Sequence, residues 1–127
     1  MLNINPSTRI FVCSKPIDMR YAFDALSGLV KSHFEMNPLN SHIFVFFSRR
    51  RDRMKLLFWD SDGFVLYYKR LERGTYSWVL DLDLEAGGEI QASDFALILA
   101  GINPRPEALT NERKILVTPP TTPLRLV

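Results

Sequence analysis

The feature that most constrains this chain is a pair of apolar, β-prone segments separated by a short polar turn. Residues 54–59 (Met-Lys-Leu-Leu-Phe-Trp) and 63–69 (Gly-Phe-Val-Leu-Tyr-Tyr-Lys) flank the turn sequence at 60–63 (Asp-Ser-Asp-Gly). Asp and Gly favour tight turns, and Gly63 is expected to take the left-handed conformation of a three- to four-residue hairpin loop. The two segments therefore predict a β-hairpin.

Both arms of this hairpin are apolar on both faces, which is typical of a sheet that is covered on each side. Apolar residues between 19 and 34 recur at three- and four-residue spacing, so they predict a helix that supplies one cover, with Asp18 as its N-cap. Gly28 costs this helix about 1 kcal/mol relative to Ala, which indicates either strain or close packing there. A partner subunit is one candidate for the second cover.

Shorter segments complete the predicted fold. Strands are predicted at 10–13, 43–47 and 75–79, a short second helix at 95–100, and an unpacked acidic linker at 81–88. Residues 1–102 are predicted to form a single α+β domain, with a small, mostly antiparallel sheet around the central hairpin. Residues 103–127 hold five of the eight prolines and predict an extended, mobile tail, with a short edge strand at 115–117.

Composition argues against several classes of protein. The chain has one cysteine, Cys13, and two histidines, so no internal disulfide can form and a metal site has little support. The longest apolar run, 95–102, is too short for a membrane-spanning helix, and the N-terminus lacks the pattern of a secretory signal. The paired glycines at 87–88 are not followed by the Lys of a phosphate-binding loop. We therefore expect a cytoplasmic protein without membrane contact, metal or cofactor.

Charge is divided unevenly along the chain. Residues 1–75 hold 12 Lys/Arg and 7 Asp/Glu, a net charge of +5, and the remaining residues carry −3. Hairpin register is expected to place Lys55 opposite or near Lys69, which would gather the basic residues into one patch. This patch consists of Arg49, Arg50, Arg51, Arg53, Lys55, Lys69, Arg70 and Arg73. It predicts binding to a polyanion, most commonly nucleic acid; the alternative is a solvated edge that prevents aggregation.

Aromatic residues interleave with these basic residues. They are Trp59, Tyr67, Tyr68, Tyr76 and Trp78. Aromatic rings beside arginine can stack on unpaired bases, but aromatic residues in strands more often pack in the core or pair across strands. Both roles stay open for this set.

Three carboxylates near the hairpin raise the question of metal-dependent nuclease chemistry. Asp60 and Asp62 lie in the turn, where Asp is favoured for local hydrogen bonds, and Glu72 lies between basic residues whose charge it balances. No histidine lies in a nucleophile motif. We therefore expect no catalytic residues.

Several segments together resemble a known family. They are residues 15–20 (Lys-Pro-Ile-Asp-Met-Arg), 49–60 (Arg-Arg-Arg-Asp-Arg-Met-Lys-Leu-Leu-Phe-Trp-Asp), 62–64 and 68–72. The chain resembles the TnpB accessory proteins that the second open reading frame (Orf2) of IS66-type bacterial insertion sequences encodes. The resemblance implies an accessory role in transposition beside a separate transposase that carries the catalytic carboxylates. Tyr21 stands where the family usually has Lys, which weakens a phosphate site at the start of the first helix.

The leading interpretation is a non-catalytic accessory protein that assists transposition by binding DNA, at the element ends, through the basic patch. The alternative is a protein–protein adaptor that binds the transposase or a second copy of itself. In that case the arginines would meet an acidic protein surface.

Overall fold

The computed structural model describes residues 6–82, 84 and 86–104, which form a five-stranded sheet covered by a helix on each side. The strands are β1 (Ile10–Val12), β2 (Ile43–Phe47), β3 (Arg53–Asp60), β4 (Gly63–Arg70) and β5 (Glu89–Ile90), and the helices are α1 (Phe23–Ser32) and α2 (Ala92–Ala100). The strand order is β4-β3-β2-β1-β5; only β1 and β2 run parallel. The predicted α+β fold is confirmed.

Alternation along the strands divides the apolar residues into two cores. On β2, which is buried on both faces, Phe44 and Phe46 face α1, and Ile43, Val45 and Phe47 face the opposite side. The second core is completed by residues that follow β4 and by α2, namely Tyr76, Trp78, Val79, Phe95 and Ile98. The chain itself therefore covers the second face, where a partner subunit was one candidate.

The hairpin is confirmed, with a tighter turn than the sequence predicts. β3 and β4 pair from Arg53 opposite Arg70 to Asp60 opposite Gly63, which leaves a two-residue loop. The positive φ angle lies at Ser61 (55°), whereas Gly63 begins the strand without one. The expectation of a left-handed Gly63 is wrong, because a two-residue loop places the left-handed backbone inside the loop.

The first helix begins later than predicted. α1 starts at Phe23, and the carboxylate of Asp18 accepts hydrogen bonds from the backbone and guanidinium of Arg20 instead of capping the helix. The preceding residues run along the sheet, where the Ile17 N–H donates to the Phe47 carbonyl over 2.9 Å. A Cβ at Gly28 would meet no atom within 4 Å, so close packing does not explain this glycine.

Two segments between β4 and α2 differ from their predictions. Residues 75–79 are not a strand, because a 3-10 helix covers Ser77–Asp81. Tyr76 and Trp78 alternate with polar residues as they would in a strand, and both pack in the second core. The predicted linker contains a packed glycine, because the backbone of Gly88 lies against the Val12 carbonyl and leads into β5. Glycine serves here for close approach and a positive φ of 84°.

The second helix is confirmed and starts three residues earlier than predicted, at Ala92. Its predicted end at Ala100 is also confirmed, and Gly101 follows it as a C-cap in the left-handed conformation (φ 70°). Most of the predicted tail, including the edge strand at 115–117, lies outside the described residues. The division of the chain at residue 102 remains a prediction.

Candidate nucleic-acid interface

The eight basic residues do not form the single patch that the sequence predicts. In the hairpin register Lys55 lies opposite Tyr68 and Lys69 lies opposite Met54. The two lysines therefore project from opposite faces of the sheet, because a displacement of one residue moves a side chain to the other face. Arg53 and Arg70 pair across the strands on the same face as Lys55. The single-patch prediction is wrong for this reason.

Lys55 is buried and anchors the segment before α1. Its Nζ donates to the carbonyl oxygens of Met19 and Tyr21, each over 2.7 Å, and lies 4.8 Å from the centre of the Tyr68 ring. Only 5% of the residue is exposed, and burial lowers the pKa of its ammonium group. Lys55 thus holds the chain near residues 19–21 against the sheet.

Arg51 anchors the beginning of the same segment. Its Nη2 donates to the Ser14 carbonyl over 2.6 Å, and its guanidinium lies 5.6 Å from the centre of the Phe47 ring. Burial lowers the pKa of Arg51, whose backbone has a positive φ of 63° in the turn after β2. Two buried cations therefore fix the ends of residues 14–21, which we call the anchored loop.

Lys69 has a comparable role on the opposite face. Its Nζ donates to the Leu99 carbonyl in the last turn of α2, over 2.9 Å. A cation is favourable there because the carbonyl end of a helix carries partial negative charge. Three of the eight predicted residues, Arg51, Lys55 and Lys69, thus bind backbone carbonyls of the chain itself.

The anchored loop and the turn between β2 and β3 form the two walls of an open groove of ≈ 640 Å³. We call it the arginine groove, because four arginines line it against two aspartates. The lining residues are Pro16, Ile17, Asp18, Met19, Arg20, Ser48, Arg49, Arg50, Asp52, Arg53 and Tyr68. Its walls therefore carry a net positive charge, and three of the four arginines are among the residues that the sequence predicts.

The two aspartates of the groove have partners within its walls. Asp18 Oδ2 lies 2.7 Å from Arg20 Nη2, and hydrogen bonds from Arg20 hold the pKa of Asp18 at about 2. Asp52 Oδ1 accepts a bond from the Ser48 hydroxyl over 3.2 Å. The Arg20 side chain stays 90% exposed, so its ion pair with Asp18 is a weak, solvent-screened one.

Other donors of the groove are available for a ligand. Arg49 and Arg50 are exposed in the turn after β2. The Nε atom of Arg53 has no hydrogen-bond partner among the residues that the structure describes, but it is buried, so Arg49 and Arg50 are the more accessible donors. Guanidinium groups that lack an internal partner are suited to phosphate oxygens.

Tyr68 adds an exposed aromatic ring to the groove. It is 50% exposed and also lines a second, smaller groove with Arg70 and Glu72, which form an exposed ion pair of 3.1 Å. Tyr76 and Trp78, by contrast, are buried in the second core. The core role therefore holds for these two aromatic residues.

The sequence does not mark Arg20 as a binding residue, and it leaves Tyr68 open between base stacking and packing in the core or across strands. Arg20 reaches the groove only because the anchored loop folds onto the sheet, and this contact depends on Lys55 and Arg51. A signal was present, since the segment 15–20 resembles the same family as the arginine-rich segment 49–60. Residues that recur together in one family can share a site although they are far apart in sequence.

The three hairpin carboxylates lie apart. Asp60 and Asp62 are at the turn, whereas Glu72 follows the other end of β4, a strand of eight residues and so roughly 25 Å long. No group of three His, Cys, Asp or Glu side chains suited to a metal ion occurs within the described part of the chain. None of its helices is long and apolar enough to span a membrane.

Comparison with known proteins gives one family. The sequence model of the family described as "IS66 Orf2 like protein" (TnpB) matches residues 8–108. The protein y4jC of Sinorhizobium fredii (strain NBRC 101917 / NGR234) is 33% identical over 105 residues, which cover 81% of this chain and 86% of that protein. The y4hO protein of the same organism is 31% identical over 104 residues, or 81% and 88%. Both relatives are described as uncharacterized, and no solved structure matches.

Proposed function

This chain belongs to the IS66 Orf2-like (TnpB) family of insertion-sequence accessory proteins, and we propose that it assists transposition by binding DNA in the arginine groove. The resemblance noted in the sequence is confirmed by the family match. The DNA contact is the step that we add from the geometry of the groove.

One observation carries this proposal: four arginines from two separate segments converge on one open groove beside an exposed tyrosine. Phosphate contacts dominate the affinity of proteins for DNA, and guanidinium groups supply them in bidentate form. Arg20 lies on one wall, and Arg49, Arg50 and Arg53 lie on the other. A strand backbone lying between the walls would contact cations on both sides.

We assign no chemical step to this groove. Its two carboxylates bond to Arg20 and Ser48, and the hairpin carboxylates lie at opposite ends of β4. Strand cleavage and joining are assigned in this proposal to the transposase of the element. The accessory protein would hold or present DNA.

The proposal is tested by the salt dependence of DNA binding. The variant Arg49→Gln/Arg50→Gln removes two exposed charges from the groove, so the log–log slope of affinity against salt should flatten by about 1 to 2 units. Fluorescence anisotropy of a labelled element-end duplex measures the slope. The control Lys31→Gln/Arg73→Gln removes two exposed charges outside the groove lining and should leave the slope unchanged.

Equal slopes for wild type and the groove variant would show that the groove does not contact DNA phosphates. The alternative partner is an acidic surface of the transposase. Co-purification with the transposase, with and without element-end DNA, separates the two cases: an adaptor would be retained without DNA, and the groove variant would lose that retention.

A further inference from the structure

The outer strand β4 has an edge suited to pairing. It lies at one edge of the sheet, and within the described residues no strand pairs with its outer side. From Phe64 to Tyr68 it is entirely apolar or aromatic, and Val65, Tyr67 and Tyr68 are 37%, 42% and 50% exposed. Natural edge strands are commonly protected by proline, by lysine or by a bulge. These five residues carry no such protection.

The hairpin turn shows which backbone groups of β4 are unpaired. Asp60 and Gly63 close a two-residue loop, so they form the pair that exchanges both backbone hydrogen bonds. Along an antiparallel pair these bonds alternate, so residues 65, 67 and 69 direct their N–H and C=O groups to β3. Residues 64, 66, 68 and 70 direct theirs outward.

The charges at the two ends of β4 are opposite. Asp60 and Asp62 lie at its beginning, and Arg70, which makes an exposed ion pair with Glu72, lies at its end next to Lys69 and near Arg73. A second copy of the strand, running antiparallel, would place the acidic beginning of each copy beside the basic end of the other. The charges of β4 are therefore complementary to those of a second, antiparallel copy of the same strand. This complementarity favours a second copy of the chain over a strand of another protein as the partner.

One register satisfies every condition. With Leu66 opposite Leu66 of the second copy, Asp62 faces Arg70, Phe64 faces Tyr68 and Val65 faces Tyr67, and the residues with outward groups pair with each other. A shift of two residues in one direction would place Asp62 opposite Glu72, which is a like-charge pair. The opposite shift would place Asp62 opposite Tyr68 and leave Arg70 without an acidic partner on β4, because Asp60 belongs to β3.

We propose that two copies of this chain pair antiparallel through β4, in the register centred on Leu66. The result is an isologous dimer with a continuous ten-stranded sheet. Its two-fold axis is perpendicular to the sheet and so preserves the faces. Both arginine grooves therefore open on the same side of the dimer, next to the new junction, since Tyr68 belongs both to β4 and to the groove.

Charge reversal tests this register in the full-length chain. Asp62→Arg places two arginines together, and Arg70→Asp places two aspartates together, so each single variant should weaken the dimer about tenfold or more. The double variant Asp62→Arg/Arg70→Asp restores the opposite charges and should restore the dimer. Asp62 lies in the turn before β4 and Arg70 is its last residue, so about the length of that strand, roughly 25 Å, separates them and the rescue cannot arise within one chain.

Sedimentation equilibrium over a range of protein concentrations measures the association, and circular dichroism melting checks that each variant folds. Val65→Lys is an independent variant at an exposed side chain, and it should also weaken the dimer. A wild-type protein that is monomeric throughout would overturn the proposal. So would a dimer that the single variants leave unchanged, or a double variant that dimerises no better than they do, because the contact would then lie elsewhere or in another register.

Discussion

Each face of the hairpin carries a lysine that bonds to backbone carbonyls, but the two lysines hold different parts of the chain in place. On the face that α1 covers, Lys55 binds the Met19 and Tyr21 carbonyls and holds the anchored loop, whose outer side is a wall of the arginine groove. On the other face, Lys69 binds the Leu99 carbonyl and fixes the end of α2 over the second core. We call these the groove face and the sealed face.

This comparison shows that a basic residue near an arginine cluster is not necessarily a ligand contact. Both lysines bond to backbone carbonyls that helix or sheet partners leave free. The difference lies in what each lysine positions. Lys55 positions a loop that carries Arg20 toward Arg49 and Arg50, whereas Lys69 positions a helix end above apolar side chains.

The largest difference in the free energy of unfolding is expected between two glycine-to-alanine variants, Gly88→Ala and Gly28→Ala. Gly88 directly precedes β5, and a Cβ there would overlap the Val12 carbonyl oxygen at a positive φ. Gly88→Ala should therefore lower the free energy of unfolding by about 3 kcal/mol. Gly28, in α1, meets open space, so Gly28→Ala should raise it by about 1 kcal/mol.

Urea unfolding followed by circular dichroism measures both glycine variants. Similar free energies for Gly88→Ala and wild type would mean that the segment before β5 can move away from β1. In that case the backbone packing around Gly88 would tolerate an added methyl group as well as the packing around Gly28 does.

A smaller effect should separate the two lysines. Lys55→Met removes two hydrogen bonds from a buried ammonium, so it should cost about 2 to 3 kcal/mol, and Lys69→Met removes one and should cost about 1 kcal/mol. Lys55→Met should also weaken DNA binding, because it releases the wall that carries Arg20. Lys69→Met should leave DNA affinity unchanged.

Chemical denaturation and fluorescence anisotropy on the same samples test the lysine comparison. If both variants reduce DNA affinity equally under conditions where both are folded, the groove does not depend on the anchored loop. The distinction between the two faces would then apply to stability alone.

The smallest effect at neutral pH concerns Tyr76, which is buried in the second core on the sealed face. Its hydroxyl has no hydrogen-bond partner among the described residues, and burial raises the pKa of Tyr76 to about 12. Between pH 10 and pH 12 the unfolded chain releases this proton and the folded chain keeps it. Stability should therefore fall as the pH rises, by about 1.4 kcal/mol per unit, through this residue.

Tyr76→Phe removes this titration. At pH 7 the variant should be as stable as wild type or up to about 1 kcal/mol more stable, since a buried hydroxyl without a partner is removed. Above pH 10 its advantage should grow. Melting temperatures of both proteins from pH 7 to pH 11.5 give the difference, and parallel curves would show that the hydroxyl is solvated in the folded protein.

Much of the fold could be predicted because it depends on local patterns. The hairpin, the buried strand β2 and the end of α2 at Gly101 follow from apolar runs and turn residues that lie close together in the chain. The alternation of Tyr76 and Trp78 predicts a strand at 75–79, whereas the chain forms a 3-10 helix over Ser77–Asp81, which places Trp78 and Val79 in the second core.

The candidate site could be predicted only in part. Arg49, Arg50 and Arg53 line the groove as the sequence suggests, because they flank the start of the hairpin. Arg51 and Lys55, from the same run, turn inward to carbonyl groups. Their burial depends on where residues 14–21 run, and spacing within one segment carries no information about the path of another.

Residue types and their order are sufficient to predict the hairpin, the need to cover both its faces and the family to which the chain belongs. Which cations remain available for a ligand depends on how distant segments pack. The hairpin register is displaced by one residue from a Lys55–Lys69 pair, so Lys69 lies on the sealed face. Lys55 and Arg51 are buried because they donate hydrogen bonds to backbone carbonyls of the anchored loop. A buried charge must be paired or hydrogen-bonded. Each cation that bonds to a carbonyl of the chain itself is therefore lost from the exposed basic surface that the sequence suggests.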